Sequence, residues 1–272
     1  MELNKNSKFK LNNDKEIPVI GLGVYQLENN SEGEESILHA LKEGYRHIDT
    51  AAIYGNEDIV GKAIKKSNTS REEIFVTTKL WNDDHDNVEE AFNESLRKLN
   101  LDYIDLYLIH WPVSSRNESW KVFKKLYNEG KCKSIGVSNF TVNHLKELME
   151  KTKIKPVVNQ VEFNPFLFQK ELLDFCKENN IQLVAYSPLT KGQRLNDENL
   201  LEIGKKYSKT SAQIILRWAI QHGVIVIPKS GNKERISENL NIFDFNIDEE
   251  DMKKLDSLNE DQRTSWDPNE VD

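Results

Sequence analysis

The chain has 272 residues, 38% of them hydrophobic and 30% charged, with a formal net charge of −8. This composition excludes a disordered chain and allows a large core. The acidic balance excludes the broad basic face that a nucleic-acid or anionic-membrane binder needs, so an anionic ligand would require a local cluster of cations.

The first residues, MELNKNSKFK, lack an apolar signal region, and no run approaches transmembrane length. A soluble, cytoplasmic protein is expected. The two cysteines, Cys132 and Cys176, form no CxxC pair and read as reduced thiols, not as a disulfide or metal site.

KFKLNNDKEIPVIGLG reads as a hairpin, two short strands about an Asn-Asn turn. Short apolar, β-branched runs then recur: VIGLGVY, HIDTA, IFVTTKL, IDLYLIHW, SIGVSNF, VVNQVEF, LVAYSP and VIVIPKS. Helical spacing fills the intervals. After HIDTAAIYGNE, Asn56 is expected to cap a helix whose inner face is Ile59, Val60, Ala63 and Ile64. In DNVEEAFNESLRKLN, Val88, Ala91, Phe92, Leu96 and Leu99 share a face. TVNHLKELMEK, QKELLDFCKEN and SAQIILRWAIQHG repeat the pattern, the last with Ser211 as the expected cap and Gly223 as its stop. Strand and helix alternating along an unbroken chain predict parallel strands with crossover helices, and the number of runs predicts a closed (β/α)8 TIM barrel spanning residues 1–272 as one domain. The N-terminal β-hairpin is expected to close the barrel bottom. An open doubly wound sheet would carry G-x-G-x-x-G after its first strand; GLGVYQ lacks the third glycine.

Each run ends in polar residues: Asp49, Lys79, His110, Ser138 and Asn139, Gln160, Tyr186 and Ser187, then Lys229 and Ser230. Singly, each has an ordinary explanation, as a cap, a solvated lysine or a satisfied core histidine. In a barrel, however, strand C-termini converge on the face that carries active sites. His47, Asp49 and His110 make a poor metal set, because only one of the two residues on the shared strand lies near its end, and no metal is expected. Lys79 is a fair position for a Schiff-base amine, as in a barrel aldolase. That reading leaves Lys229, Lys233 and Arg235 in VIPKSGNKERISENL unexplained, a strand–loop–helix junction suited to phosphate.

Taken in order, GLGVYQ, GYRHIDTAAIYGNE, TTKLW, LDYIDLYLIHWP, SIGVSNF, NQVEFNP, AYSPL and IPKSGNKERISENL resemble the aldo-keto reductase family, in particular its short bacterial-type members. The resemblance implies carbonyl reduction with NADPH, a catalytic tetrad of Asp49, Tyr54, Lys79 and His110, and a monomer. It also implies cofactor contacts from Ser138, Asn139 and Gln160 to the carboxamide, Tyr186 to the ring, and Ser187 and Leu189 to the pyrophosphate. Lys229, Ser230 and Arg235 would meet the 2′-phosphate, and Glu238 and Asn239 the adenine. Tyr25, Trp81 and Trp111, with His110, would wall the substrate pocket. Some relatives are cofactor-sensing subunits; the intact tetrad favours an enzyme. In this scheme Lys79 is expected to lower the pKa of Tyr54, the general acid. Two departures from the family concern substrate choice: Tyr25 stands where many relatives have Trp, and the tail DQRTSWDPNEVD replaces a more usual Gly-Pro-containing ending, with Trp266 a candidate for a different pocket edge.

Overall fold

The structure, a computed structural model, describes residues 3–271. A hairpin, β1 (Lys8–Lys10) and β2 (Glu16–Pro18), precedes eight parallel strands. These are β3 (Leu22–Gly23), β4 (His47–Asp49), β5 (Phe75–Leu80), β6 (Leu106–Ile109), β7 (Ile135–Ser138), β8 (Val158–Glu162), β9 (Gln182–Tyr186) and β10 (Ile225–Val226). Each strand pairs with its neighbours in chain order. The ends close through Gly21 N to Val226 O at 2.9 Å, Val226 N to Val19 O at 3.2 Å and Gly23 N to Pro228 O at 3.2 Å. The sheet is therefore a barrel, as the alternation predicts. The first and last runs give only two residues each of regular strand, because closure is made by isolated bridges.

Helices α1 (Ser31–Glu43), α2 (Glu57–Lys66), α3 (Val88–Leu99), α4 (Arg116–Asn128), α5 (Val142–Lys151), α6 (Lys170–Glu178), α7 (Glu198–Tyr207), α8 (Ser211–Gln221), α9 (Lys233–Leu240) and α10 (Glu249–Asp256) cover the outside. The period-two alternation of a strand separates two cores. On β5, Phe75 points inward with Leu106, Leu108, Val158, Val184 and Ile225, whereas Val76 and Leu80 face the helices. Leu11 and Ile17 of the hairpin join the inner core. Asn12 Nδ2 donates to Pro156 O and Asn180 O, and Asn13 Nδ2 to Lys133 O, all just before strand N-termini. The hairpin thus plugs the barrel bottom, leaving only the other end open.

Two helix-start expectations are corrected. Thr210, not Ser211, caps α8: its hydroxyl accepts from Gln213 N while the Gln213 side chain accepts from Thr210 N. Thr210 has the extended backbone a cap requires; Ser211 is already helical. Asn56 stands at the start of α2 but makes no capping bond there. Its side chain is used elsewhere, as described below. Gly223, with φ of 78°, lies just beyond α8 as its expected stop.

Helix α2 crosses the end of α3 so closely that a Cβ on Gly61 would lie 2.0 Å from Leu99 O. In an isolated helix Gly61→Ala would gain about 1 kcal/mol of propensity. Here the overlap outweighs that gain, and a net loss of about 1–3 kcal/mol is expected, read as a lower urea midpoint.

Candidate active site

At the open end, β4 and β5 present inward residues at matching heights. Lys79 Nζ donates to Asp49 Oδ1 at 2.6 Å and to Thr50 O at 2.8 Å, and Gln160 Nε2 donates to Asp49 Oδ2 at 2.6 Å. The two charged side chains are 1% and 3% exposed. Burial pushes Lys79 down and Asp49 up from their ordinary values, while their contact acts oppositely on both. Removing either partner of such a pair costs about 3–5 kcal/mol, because the other charge is left stranded. One layer below, His47 is paired with Thr77 Oγ1 at 3.0 Å and held neutral, its pKa lowered to about 3 by burial and by Lys79.

Asn56 fixes the segment above. It donates to Val24 O at 2.8 Å and Leu27 O at 3.1 Å, and its carbonyl accepts from Thr50 Oγ1 at 2.9 Å. This buried strut ties the loop after β3 to the end of β4, and the short 3₁₀ turn Ala52–Tyr54 hangs between them. The half-buried Tyr54 is thereby set with its ring centroid 5.0 Å from Lys79 Nζ, 5.0 Å from the Tyr25 ring and 5.8 Å from the His110 ring. The expected direction of its pKa is reversed: burial and the Asp49 charge raise the Tyr54 hydroxyl well above 10. The positive charge of Lys79 is already balanced by Asp49, so desolvation dominates. Tyr54 therefore keeps its proton.

His110 follows β6. Its Nδ1 is enclosed without a partner, leaving Nε2 as the ring nitrogen that faces the cavity. Burial and Lys79 push its pKa well below 6.5, so the ring is neutral. Beyond it, Tyr186 OH donates to Asn139 Oδ1 at 2.8 Å, Asn139 Nδ2 to His110 O at 2.9 Å, and Ser138 Oγ to Gln160 O at 2.8 Å. Asn139 and Ser187 both take left-handed backbone, φ 63° and 44°. Such strain is characteristic of functional sites.

These groups line a cavity of about 1080 Å³. Among the sequence-predicted residues, Asp49, Tyr54, His110, Asn139, Gln160, Tyr186, Ser187, Leu189, Lys229, Ser230, Arg235, Glu238 and Asn239 lie on its wall, with Tyr25, Trp81, Trp111 and Trp266. Lys79 and Ser138 sit one layer behind. At one end, Lys229 and Arg235 face each other closely enough that Arg235, after burial, lowers the Lys229 pKa. Neither forms an ion pair among the described residues. Sequence reasoning missed Ile53, Leu201, the segment from Lys209 to Ala212, and Arg263 to Ser265. The Thr210 capping box was a readable sign of a helix start on this rim; the tail residues carried none.

Residues 19–260 match the Aldo/keto reductase family. The chain is 53% identical to the glyoxal reductase of Bacillus subtilis (strain 168) over 265 residues, 96% of each chain. Among solved structures, MGS-M4, an aldo-keto reductase from a Medee basin deep-sea metagenome library, superposes with a TM-score of 0.94 at 51% identity, covering 97% of this chain and 99% of that one. A Bombyx mori aldo-keto reductase in complex with NADP gives a TM-score of 0.92 at 38% identity, covering 99% and 98%.

The buried histidine gives a pH test. The unfolded chain protonates His47 below its ordinary pKa of about 6.5, whereas the folded chain resists until about 3. Folded stability from this residue is therefore lost as pH falls through that window, by about 1.4 kcal/mol per pH unit. Urea titrations from pH 7 to pH 4 should show the wild type losing ground to His47→Asn at about that slope.

Proposed function

The chain belongs to the aldo/keto reductase family, and we propose that it reduces small aldehydes and ketones with NADPH, Tyr54 giving the proton to the carbonyl oxygen. The observation that carries this reading is the convergence of Tyr54 and neutral His110 on one cavity, directly above a buried Asp49–Lys79 pair. The similarity to a glyoxal reductase supports small carbonyl compounds as substrates. A Schiff-base role for Lys79 is disfavoured, because its amine is buried behind the cavity wall and held by Asp49.

The cavity suits the cofactor. Lys229 and Arg235, two adjacent cations that form no ion pair among the described residues, match the charge of a phosphate, and the volume is that of a large ligand site. Asn139 and Gln160 would hold the carboxamide, Gln160 through its Oε1, since its Nε2 is given to Asp49. Ser138 supports Asn139 from behind. The Tyr186 ring would stack, Ser187 and Leu189 would meet the pyrophosphate, Lys229, Ser230 and Arg235 the 2′-phosphate, and Glu238 and Asn239 the adenine. When bound, NADPH supplies a hydride for the carbonyl carbon.

The protein's own groups handle the oxygen. Neutral His110 can donate from Nε2 to the carbonyl oxygen and orient it. As charge develops there, Tyr54 transfers its hydroxyl proton. Its raised pKa keeps that proton available across physiological pH, and an alkoxide is a strong enough base to take it. The phenolate left behind lies beside the Lys79 ammonium, which Asp49 and Gln160 keep in place.

Tyr54→Phe should lower kcat by about 10²–10⁴-fold with NADPH affinity unchanged, measured by NADPH consumption and by fluorescence titration. Carbonyl reduction near the wild-type rate would refute the assignment. Arg235→Ala should raise the Kd for NADPH while leaving that for NADH unchanged; an equal loss for both would remove Arg235 from the 2′-phosphate site.

A further inference from the structure

We propose that Glu162 is the positioning residue that sets the breadth of the substrate pocket, its buried carboxylate latching the C-terminal tail so that Trp266 completes the aromatic wall. The proposal rests on the carbonyl-reductase reading above.

Glu162 ends β8 and is 1% exposed. No Lys, Arg or His forms an ion pair with it among the described residues. Its carboxylate is satisfied by two consecutive residues of the tail. Thr264 N donates to both oxygens at 2.9 and 3.1 Å, Thr264 Oγ1 donates to Oε1 at 2.6 Å, and Ser265 N donates to Oε2 at 3.1 Å. Neutral donors pointed at a buried carboxylate make strong bonds, and a carboxylate that lost them would be left in the barrel mouth without a partner.

The next residue is Trp266. Its ring centroid lies 5.3 Å from that of Trp111 and 6.2 Å from that of Trp81, and Trp81 lies 5.3 Å from His110. Yet Trp266 is 57% exposed, so its own burial is too slight to hold it there. The other pins are weaker. Lys191 Nζ donates to Thr264 O at 2.5 Å, and Arg194 pairs with Glu260 at 2.7 Å, both on exposed surface where such contacts add little. Further upstream, Glu260 N and Gln262 N donate to Phe166 O, but the buried Glu162 carboxylate is what holds the two residues immediately before Trp266. Glu162 touches no reacting atom; it acts through Trp266.

The test compares kcat and KM for glyoxal and for 4-nitrobenzaldehyde, with saturating NADPH, in wild type, Glu162→Gln, Trp266→Ala and the double variant. Glutamine keeps the shape but turns one acceptor into an NH₂ that confronts the tail donors. Glu162→Gln should raise KM for the aromatic aldehyde about tenfold, as loss of a hydrogen bond to a charged group implies, with kcat unchanged and glyoxal kinetics untouched. In the Trp266→Ala background it should have no further effect. Additive losses, or equal losses for both substrates, would overturn the proposal. If Glu162→Gln does not fold, Thr264→Val decides: a KM rise confined to the aromatic aldehyde supports the latch, and an unchanged KM refutes it. Failure of the wild type to reduce either carbonyl would instead remove the underlying reading.

Discussion

A lysine and an aspartate, both almost wholly out of water, meet at 2.6 Å in the mouth of the barrel, and much of the surrounding structure exists to make that contact tolerable. Neither charge could stay ionised there alone. Each therefore needs the other in fixed register, with its remaining bonding capacity filled. Parallel pairing of β4 and β5 supplies the register, aligning Asp49 with Thr77 and so setting Lys79 one inward position higher. Thr50 O and Gln160 Nε2 fill the remaining capacity. Gln160 comes from β8, well round the barrel, so the pair can be completed only once the sheet has closed.

The two ends of the molecule divide the work accordingly. The bottom is plugged by apolar side chains and by asparagines bonded to backbone carbonyls, which seal the interior without introducing charge. The top carries the polar layer, braced by further asparagines. Asn56 joins the loop after β3 to Thr50 at the end of β4, and Asn139 links His110 to Tyr186. These side chains act as struts because an amide both donates and accepts, matching carbonyls and hydroxyls at once. Rigid support at this level lets Tyr54, on a three-residue turn, hold a defined place over Lys79.

The electrostatics of the site follow from burial more than from pairing. His47 and His110 are driven to neutrality and Tyr54 is held protonated. On the cavity wall this leaves His110 and Tyr54 able to donate hydrogen bonds to an oxygen that becomes negative, while His47 stays one layer below, paired with Thr77. Lys229 and Arg235, which form no ion pair among the described residues, stand at the other end of the cavity, where they suit a phosphate. Neutral donors and bare cations are thus kept apart along one cleft.

Much of this was legible in the chain. Alternating apolar runs and amphipathic segments predict a parallel barrel because both periodicities are local consequences of backbone geometry. The polar residue closing each run marks the rim for the same reason. Asp49, Lys79 and His110 could therefore be placed on the rim from the pattern, whereas Tyr54, which closes no run, is named only through the family resemblance. The sequence does not show where a side chain goes when several partners compete. Asn56 has a cap's position but bonds to Val24 and Leu27; Thr210 is chosen over Ser211 by backbone conformation. The pKa of Tyr54 rises when Lys79 alone suggested a fall, because desolvation depends on every neighbour. Glu162 carries no mark at all, since its donors lie about a hundred residues away on an irregular tail. Local pattern determines which residues stand at the rim; only closure of the barrel decides which of them meet, because those contacts join segments far apart in the chain.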